Sequence, residues 1–292
     1  MTTTRVNTRL ATMYRDQHTP GHSQGVDFDD IEYLFNESAG AFIAQVRHMN
    51  ELKTPAMTRL LSVSKKTYME MEKGKRQYRM HIINWWCFVM GMSPLHLLAQ
   101  SNYFGHLPIG DYRNIRQVRL ASLLQRVSPH ECLTALQSLI DHCPRPIGRD
   151  ADDSVCIQPS ELAGVRPFFY DSDYYRMVAE GLLFFLQDNQ LTRRDLARHL
   201  NVTPRTVRRI LSGDVSINFS YYARFYLSTG VYPLRILDDS PYLKIRLKLE
   251  QRLFLINDLI AGYASSPDLL DELLMTLSHL PVDAEWRGLF EY

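Results

Sequence analysis

Long apolar runs are missing from this chain of 292 residues. Nothing approaches the ~18 consecutive apolar residues of a membrane-spanning helix, and the longest apolar patch, Ile82 to Met92, reads as a buried helix. Met1 to Arg15 is Thr-rich and lacks the apolar core of a secretory signal, so a cytoplasmic location is expected. Cysteine is scarce. Cys87, Cys132, Cys143 and Cys156 show no C-x-x-C spacing and no His at zinc-finger distance, and read as reduced thiols. Catalytic signatures are lacking too: no Gly-rich phosphate loop, no His-Glu-x-x-His, no Gly-x-Ser-x-Gly. His18 and His22 are four apart, but Pro20-Gly21 between them prevents a shared helical face. Asp150, Asp152 and Asp153, with Asp171 and Asp173, lie in or beside a Pro/Gly-rich stretch and read as solvated linker, not as nuclease carboxylates. A non-enzyme without cofactor or metal is expected.

Charge of one sign is also lacking overall, at net +1, but the basic residues are concentrated. Lys65 to Arg79 holds six bases and two acids, and Thr192 to Gly213 holds six bases and one acid. Sliding the chain on itself by 139 positions aligns the two stretches. Leu52, Arg59, Leu61, Val63, Thr67, Gly74 and Gly91 then fall on Leu191, Arg198, Leu200, Val202, Thr206, Gly213 and Gly230. Pro94, Leu95, Leu98, Ser101 and Tyr103 fall on Pro233, Leu234, Leu237, Ser240 and Tyr242. These are 12 identities in the 53 positions from Leu52 to Phe104, without a gap, where chance gives about three. Ser128-Pro129 and Ser266-Pro267 each open a further Leu-rich helical pattern.

The implied organisation is a flexible arm over 1–28, a first lobe over 29–143, a linker over 144–170 and a second lobe over 171–292. Period-2 alternation is not sustained anywhere, so the class is all-α. In the first copy the pattern predicts helices over Ala41–Asn50, Thr54–Leu61, a segment capped by Ser64 and ending at Gly74, Met80–Met90, and a fifth opening at Pro94. In the second, an apolar stripe through Leu182, Leu183, Phe185 and Leu186 precedes a short helix capped by Thr192. Asn201 supplies a left-handed turn, Thr203 caps a helix with Pro204 at its first position, and Gly213 closes it. Trp85 and Trp86, and Tyr221, Tyr222, Phe225 and Tyr226 of a fourth helix, sit at helical spacing and read as core; a fifth helix opens at Pro233-Leu234.

At these residues the chain resembles the phage-repressor/Cro-type (lambda-repressor-like, XRE) helix-turn-helix family. That family's pattern runs Leu-Ser/Thr, Leu-Ala, Leu-Gly-Val-Ser, Thr-Ile and Glu-x-Gly. The second copy reads Leu191-Thr192, Leu196-Ala197, Leu200-Asn201-Val202-Thr203, Thr206-Val207 and Gly213. The first reads Leu52, Met57-Thr58, Leu61-Ser62-Val63-Ser64, Thr67-Tyr68 and Glu72-Lys73-Gly74. Ser62 and Asn201 stand where the family has a turn Gly, Thr58 where it has Ala, and Leu211 where it has Glu. The resemblance covers about 55–60 residues of each copy. It implies two lambda-repressor-like bundles, each followed by a helical extension and related by internal duplication.

The resemblance further implies that each recognition helix presents its N-terminal part to the DNA major groove. The exposed candidates are Ser64, Lys65, Lys66, Met69 and Glu70 in the first copy and Thr203, Arg205, Arg208 and Arg209 in the second. Arg205, Lys66 and Glu70 are expected at base edges, since Arg and Lys bond guanine and Glu accepts from cytosine. Thr54 and Arg193, which open the second helices, and Lys73, Lys75 and Arg76 are expected at phosphates. The expected partner is double-stranded DNA and the expected role a transcriptional regulator reading adjacent half-sites. The alternative is a protein-interaction or antitoxin-like module in which only one lobe contacts DNA. A helical hairpin over Arg246–Tyr263 and Leu269–Leu280 either packs on its own bundle or offers a homodimer surface.

Overall fold

The computed structural model describes residues 28–100, 110–170, 172–229 and 243–290. The N-terminal arm over 1–27 and the fifth helix expected at Pro233 lie outside the described residues. Among the described residues all regular elements are helical, and extended pairing is confined to one isolated antiparallel bridge between Arg79 and Asn218.

The first bundle holds α1 (Phe28–Met49), α2 (Thr54–Leu60), α3 (Lys65–Glu72), α4 (Met80–Val89) and α5 (Pro94–Ala99). Helix α1 begins well before the expected Ala41, and it buries Phe35, Ala39, Phe42, Ile43 and Val46 on one stripe. Gly40 sits mid-helix because α3 comes so close: a Cβ there would lie 2.5 Å from the Met71 carbonyl oxygen. Helix α4 is buried along its whole length. Trp86 meets Phe42 edge-on at 6.3 Å, and Trp85 Nε1 donates to the Leu60 carbonyl at 2.9 Å.

The extension of this bundle is α6 (Ile115–Arg126) and α7 (Pro129–Asp141). Ser128 and Glu131 form a reciprocal capping box at the start of α7. The stretch expected as linker is more than a tether. It contains a single 3-10 turn (Asp153–Val155) and α8 (Pro159–Tyr170), and it buries Val155, Cys156, Ile157, Leu162, Phe168 and Phe169. Phe169 lies 5.8 Å from both Trp85 and Phe88, so α8 closes the side of α4 that α1 leaves open. Pro167, which reads as a helix breaker, is accommodated inside α8.

The second bundle repeats the order with α9 (Ser172–Asp188), α10 (Arg193–Leu200), α11 (Pro204–Leu211) and α12 (Phe219–Thr229). Its burial register matches the first at the same spacing of 139: Phe35, Ala39, Ile43 and Val46 correspond to Tyr174, Val178, Leu182 and Phe185. Left-handed backbone recurs at matched positions too. Glu51, Ser62 and Gly74 have φ of 57°, 50° and 65°, and Gln190, Asn201 and Gly213 have 55°, 49° and 74°. Tyr222 and Phe225 are core, as are Trp85 and Trp86, while Tyr221 and Tyr226 are half-buried.

The bundles meet at the bridge. Met80 N donates to the Ile217 carbonyl (3.0 Å), and Phe219 N donates to the Tyr78 carbonyl (2.7 Å). Residues 78 and 217, and 80 and 219, are themselves 139 apart, so the two bonds are reciprocal and the contact has local two-fold symmetry. Asn218 Nδ2 donates to Gln77 Oε1 at 2.7 Å, and Phe35 stacks on Phe219 at 5.5 Å.

The C-terminal hairpin, α13 (Leu243–Gly262) and α14 (Pro267–Ser278), packs against α6 of the first lobe. Arg116 of α6 forks onto Asp271 of α14 at 2.8 and 2.7 Å. Ile245, Leu249, Leu253, Ile256, Leu259, Leu270 and Leu274 are buried in this way, leaving Leu247, Phe254 and Met275 exposed. The last helix, α15 (Ala284–Gly288), carries Trp286 back against α8, and the Phe290 carbonyl accepts from Arg59 Nε at 2.9 Å.

Candidate nucleic-acid interface

In both bundles the third helix starts from the same local chemistry. Ser64 Oγ accepts from Thr67 N at 3.0 Å, and Thr203 Oγ1 accepts from Thr206 N at 3.2 Å. In each pair the two side-chain oxygens also meet, at 2.9 and 3.0 Å. The cap satisfies one orphan N–H and sets the helix's first turn toward solvent. Two residues back, the left-handed backbone at Ser62 and Asn201 reverses the chain. On the inner face Tyr68 and Met71 of α3, and Val207 and Ile210 of α11, are buried. The outer face is thereby fixed by the helical period.

On α3 that outer face presents Ser64, Lys65, Lys66 and Met69, with Lys73, Lys75 and Arg76 following, all exposed. Lys65, Lys66, Met69, Glu70, Lys73 and Lys75 line one shallow depression. Glu70 is half-buried and already engaged, because Arg76 Nη1 folds back to its Oε2 at 3.3 Å and to Thr67 Oγ1 at 3.4 Å. On α11 the face is Thr203, Arg205, Arg208 and Arg209, all exposed, and the three arginines have no ion pair or hydrogen bond among the described residues. A guanidinium held this way has all its donors available.

The second helices differ at their starts. In α10, Thr192 and Asp195 cap reciprocally, Thr192 N donating to Asp195 Oδ2 at 2.7 Å and Asp195 N to Thr192 Oγ1 at 3.2 Å. Hydrogen bonds from Thr192 hold the Asp195 carboxyl below its ordinary range, and Arg198 adds to this. Arg193 is exposed at the first position. In α2 the cap residue is Lys53, which is exposed and makes no side-chain cap bond, and Thr54 beside it is half-buried. Lys53, exposed, is therefore the cation at the α2 N-terminus, a position the Thr54 expectation passes over. Its signal is present in the sequence, since it aligns with the cap Thr192.

Helix α3 is tied to its bundle by Arg47, whose Nε meets Glu72 Oε1 at 2.6 Å. The bond with Glu72 raises the Arg47 guanidinium above its ordinary value. Tyr68 beside them is pushed far up, first by burial and then by Glu72. At the first turn, Arg166 of α8 donates to Ser62 Oγ at 3.0 Å and to the Arg59 carbonyl at 3.1 Å.

Comparison with protein-family models, curated proteins and solved structures yields no match for this chain. No described helix is long and apolar enough to cross a membrane. Among the described residues no group of three or more His, Cys, Asp or Glu could hold a metal ion.

Proposed function

We propose that the chain is a sequence-specific DNA-binding transcriptional regulator whose two helix-turn-helix bundles are non-identical copies of one duplicated unit. The observation that carries this reading is the recurrence, at one spacing, of a left-handed turn, a hydroxyl cap and a basic outward helix face on either side of a locally two-fold contact. That is the arrangement a homodimeric reader achieves with two chains. Here the two recognition helices carry different side chains, so the preferred site has two unlike half-sites. The N-terminal turns of α3 and α11 read bases. Lys53, Thr54, Arg193, Lys73, Lys75 and Arg76 hold phosphates, which fixes register without reading sequence.

A second reading keeps one lobe on DNA and gives the other to a protein partner. The Arg76–Glu70 ion pair favours it, since it engages Glu70, a group that a base-reading first lobe would use. In vitro selection of DNA by the full-length chain at two salt concentrations separates these outcomes. Two unlike half-sites centred about 10 bp apart, or a multiple of that, support reading by both lobes. A single half-site supports the second reading. Binding with no enriched sequence, abolished by moderate salt, reduces the interface to phosphate attraction and overturns the proposal.

A further inference from the structure

Helices α3 and α11 are related by a rotation about the contact between the bundles. Met80 N donates to the Ile217 carbonyl and Phe219 N to the Tyr78 carbonyl, and the spacing of 139 turns one bond into the other. Each bundle runs from its third helix to this contact through a left-handed glycine, Gly74 (φ 65°) or Gly213 (φ 74°). The local two-fold therefore carries α3 onto α11. Lobes related in this way meet one duplex in opposite senses, so the two segments they contact are inverted relative to each other.

The side chains that this rotation brings into correspondence are unlike. On the outward face Lys66, Met69 and Glu70 answer to Arg205, Arg208 and Arg209. Met69 offers no donor and Glu70 is engaged by Arg76 at 3.3 Å, whereas the three arginines have no ion pair among the described residues. Past the two helices the balance reverses, because Lys73, Lys75 and Arg76 answer to Ser212, Asp214 and Val215. Lys73 and Lys75 are exposed and make no ion pair among the described residues. At the matching place Ser212 Oγ donates to Asp214 Oδ2 at 2.5 Å. An exposed carboxylate repels a phosphate where the first lobe would attract one.

We propose that the two lobes divide the work on one duplex, and that this division fixes the direction in which the chain lies on it. The inference rests on the DNA-binding reading above. Helix α11 carries most of the base reading, since a free guanidinium fork matches the guanine edge. The first lobe contributes little sequence information and holds the phosphates of the adjoining, inverted segment with Lys73 and Lys75, which adds affinity on any sequence. A homodimer on a palindrome has no direction, whereas a chain with unlike lobes has one. The C-terminal hairpin is seated on α6 of the first lobe, so it always lies on the phosphate-holding side of the site.

The test titrates the full-length chain with its selected duplex at several salt concentrations, scrambling each half-site in turn. Arg208→Ala with Arg209→Ala identifies the half-site of α11, because that half blurs. Scrambling it is expected to weaken binding roughly 100-fold or more, and scrambling the other half by less than about tenfold. Lys73→Ala with Lys75→Ala is expected to leave the motif intact and to reduce the slope of log K against log salt concentration by about 1.8, or about 0.9 for each lysine. Both lysines are exposed, and an unchanged thermal midpoint verifies the fold of that variant. Equal losses from the two scrambled halves, half-sites in direct repeat, or a lysine variant that alters the motif without altering the slope overturns the division and leaves the chain a sequence-specific DNA binder. Failure to select any sequence removes the DNA-binding reading itself, and the division with it.

Discussion

Arg47 holds Glu72 with two nitrogens, Nε to Oε1 at 2.6 Å and Nη2 to Oε2 at 3.2 Å, and so pins the last turn of α3 to α1. At the matching positions of the second bundle stand Leu186 and Leu211, on helices that also pack together. The ion pair in one lobe is an apolar pair in the other, and both ends change together. Removing one partner of a part-buried pair strands the other charge, at a cost of about 3 kcal/mol, whereas replacing both with apolar groups is close to neutral. Arg47→Leu alone should therefore lower stability by about that amount, and Arg47→Leu with Glu72→Leu should recover most of it. Chemical denaturation of the two singles and the double closes the cycle; a double as unstable as the sum of the singles contradicts the exchange.

Gly40 makes the same comparison sterically. Its absent side chain lets α1 approach the Met71 and Glu72 carbonyls, where a Cβ would sit 2.5 and 2.7 Å away. The equivalent residue is Ala179, and around the equivalent end of α11 the fit is looser: a Cβ on Gly213 would meet Arg176 at 3.5 Å, against 2.5 Å to Glu37 for Gly74. Gly40→Ala should cost about 1–3 kcal/mol through overpacking, despite the gain in helix propensity. Ala179→Gly should cost only about 1 kcal/mol, the propensity loss. Thermal denaturation of both variants reads the difference, and a neutral Gly40→Ala would mean that α1 and α3 are not so close.

The turn and cap chemistry of α3 and α11 is legible in the sequence because it is local: Ser64, Asn201 and Thr203 act within three residues of themselves. Non-local geometry is not. The N-terminal half of α1 escapes a sequence reading because Ser38-Ala39-Gly40 looks like a weak spot, and only the closeness of α3 explains a glycine there. Helix α8 is hidden by Pro167 and by the Pro/Gly/Asp-rich run before it, while its purpose, covering Trp85 and Phe88, depends on residues far away in the chain. The register shared by α1 and α9 leaves few identities because burial constrains apolar character more than identity: Phe35 answers to Tyr174, and Val46 to Phe185. In the candidate interface, periodicity marks the exposed faces, but the engagement of Glu70 by Arg76 and of Ser62 by Arg166 is visible only in three dimensions.

Two histidines make the fold acid-sensitive. His81, 3.0 Å from Ser216 across the bridge between the bundles, is lowered to about 4 by burial and by Arg79. His96 is lowered to about 4 by burial, against the opposing bond with Ser93. Unfolded histidine takes up its proton near 6.5, so between there and about 4 the unfolded chain binds more protons than the native one. Stability is then full above pH 6.5 and falls as pH drops through that window, by at most about 3 kcal/mol per histidine. Denaturation midpoints across the window should show this slope, and His81→Phe should flatten its share of it. A slope unchanged by that substitution would place the acid sensitivity elsewhere.

The two lobes can be weighed against each other by salt. Removing one cation that neutralises a phosphate should reduce the slope of log K against log salt concentration by about 0.9. Removing a side chain that bonds a base edge should instead cost about 1–3 kcal/mol and relax one position of the site. Arg205 and Arg209 stand free on α11, so Arg205→Ala with Arg209→Ala should weaken specific binding by at least roughly tenfold and blur one half-site. Lys65→Ala with Lys66→Ala should do the same to the other half-site if α3 reads bases. If instead the first lobe faces a protein partner, that pair should leave the DNA motif intact and change only the nonspecific, salt-sensitive component. Quantitative binding to the selected site at several salt concentrations distinguishes these results. Undiminished specific affinity in the α11 double variant would remove the second lobe's recognition helix from the interface, and with it the strongest candidate reader in the chain.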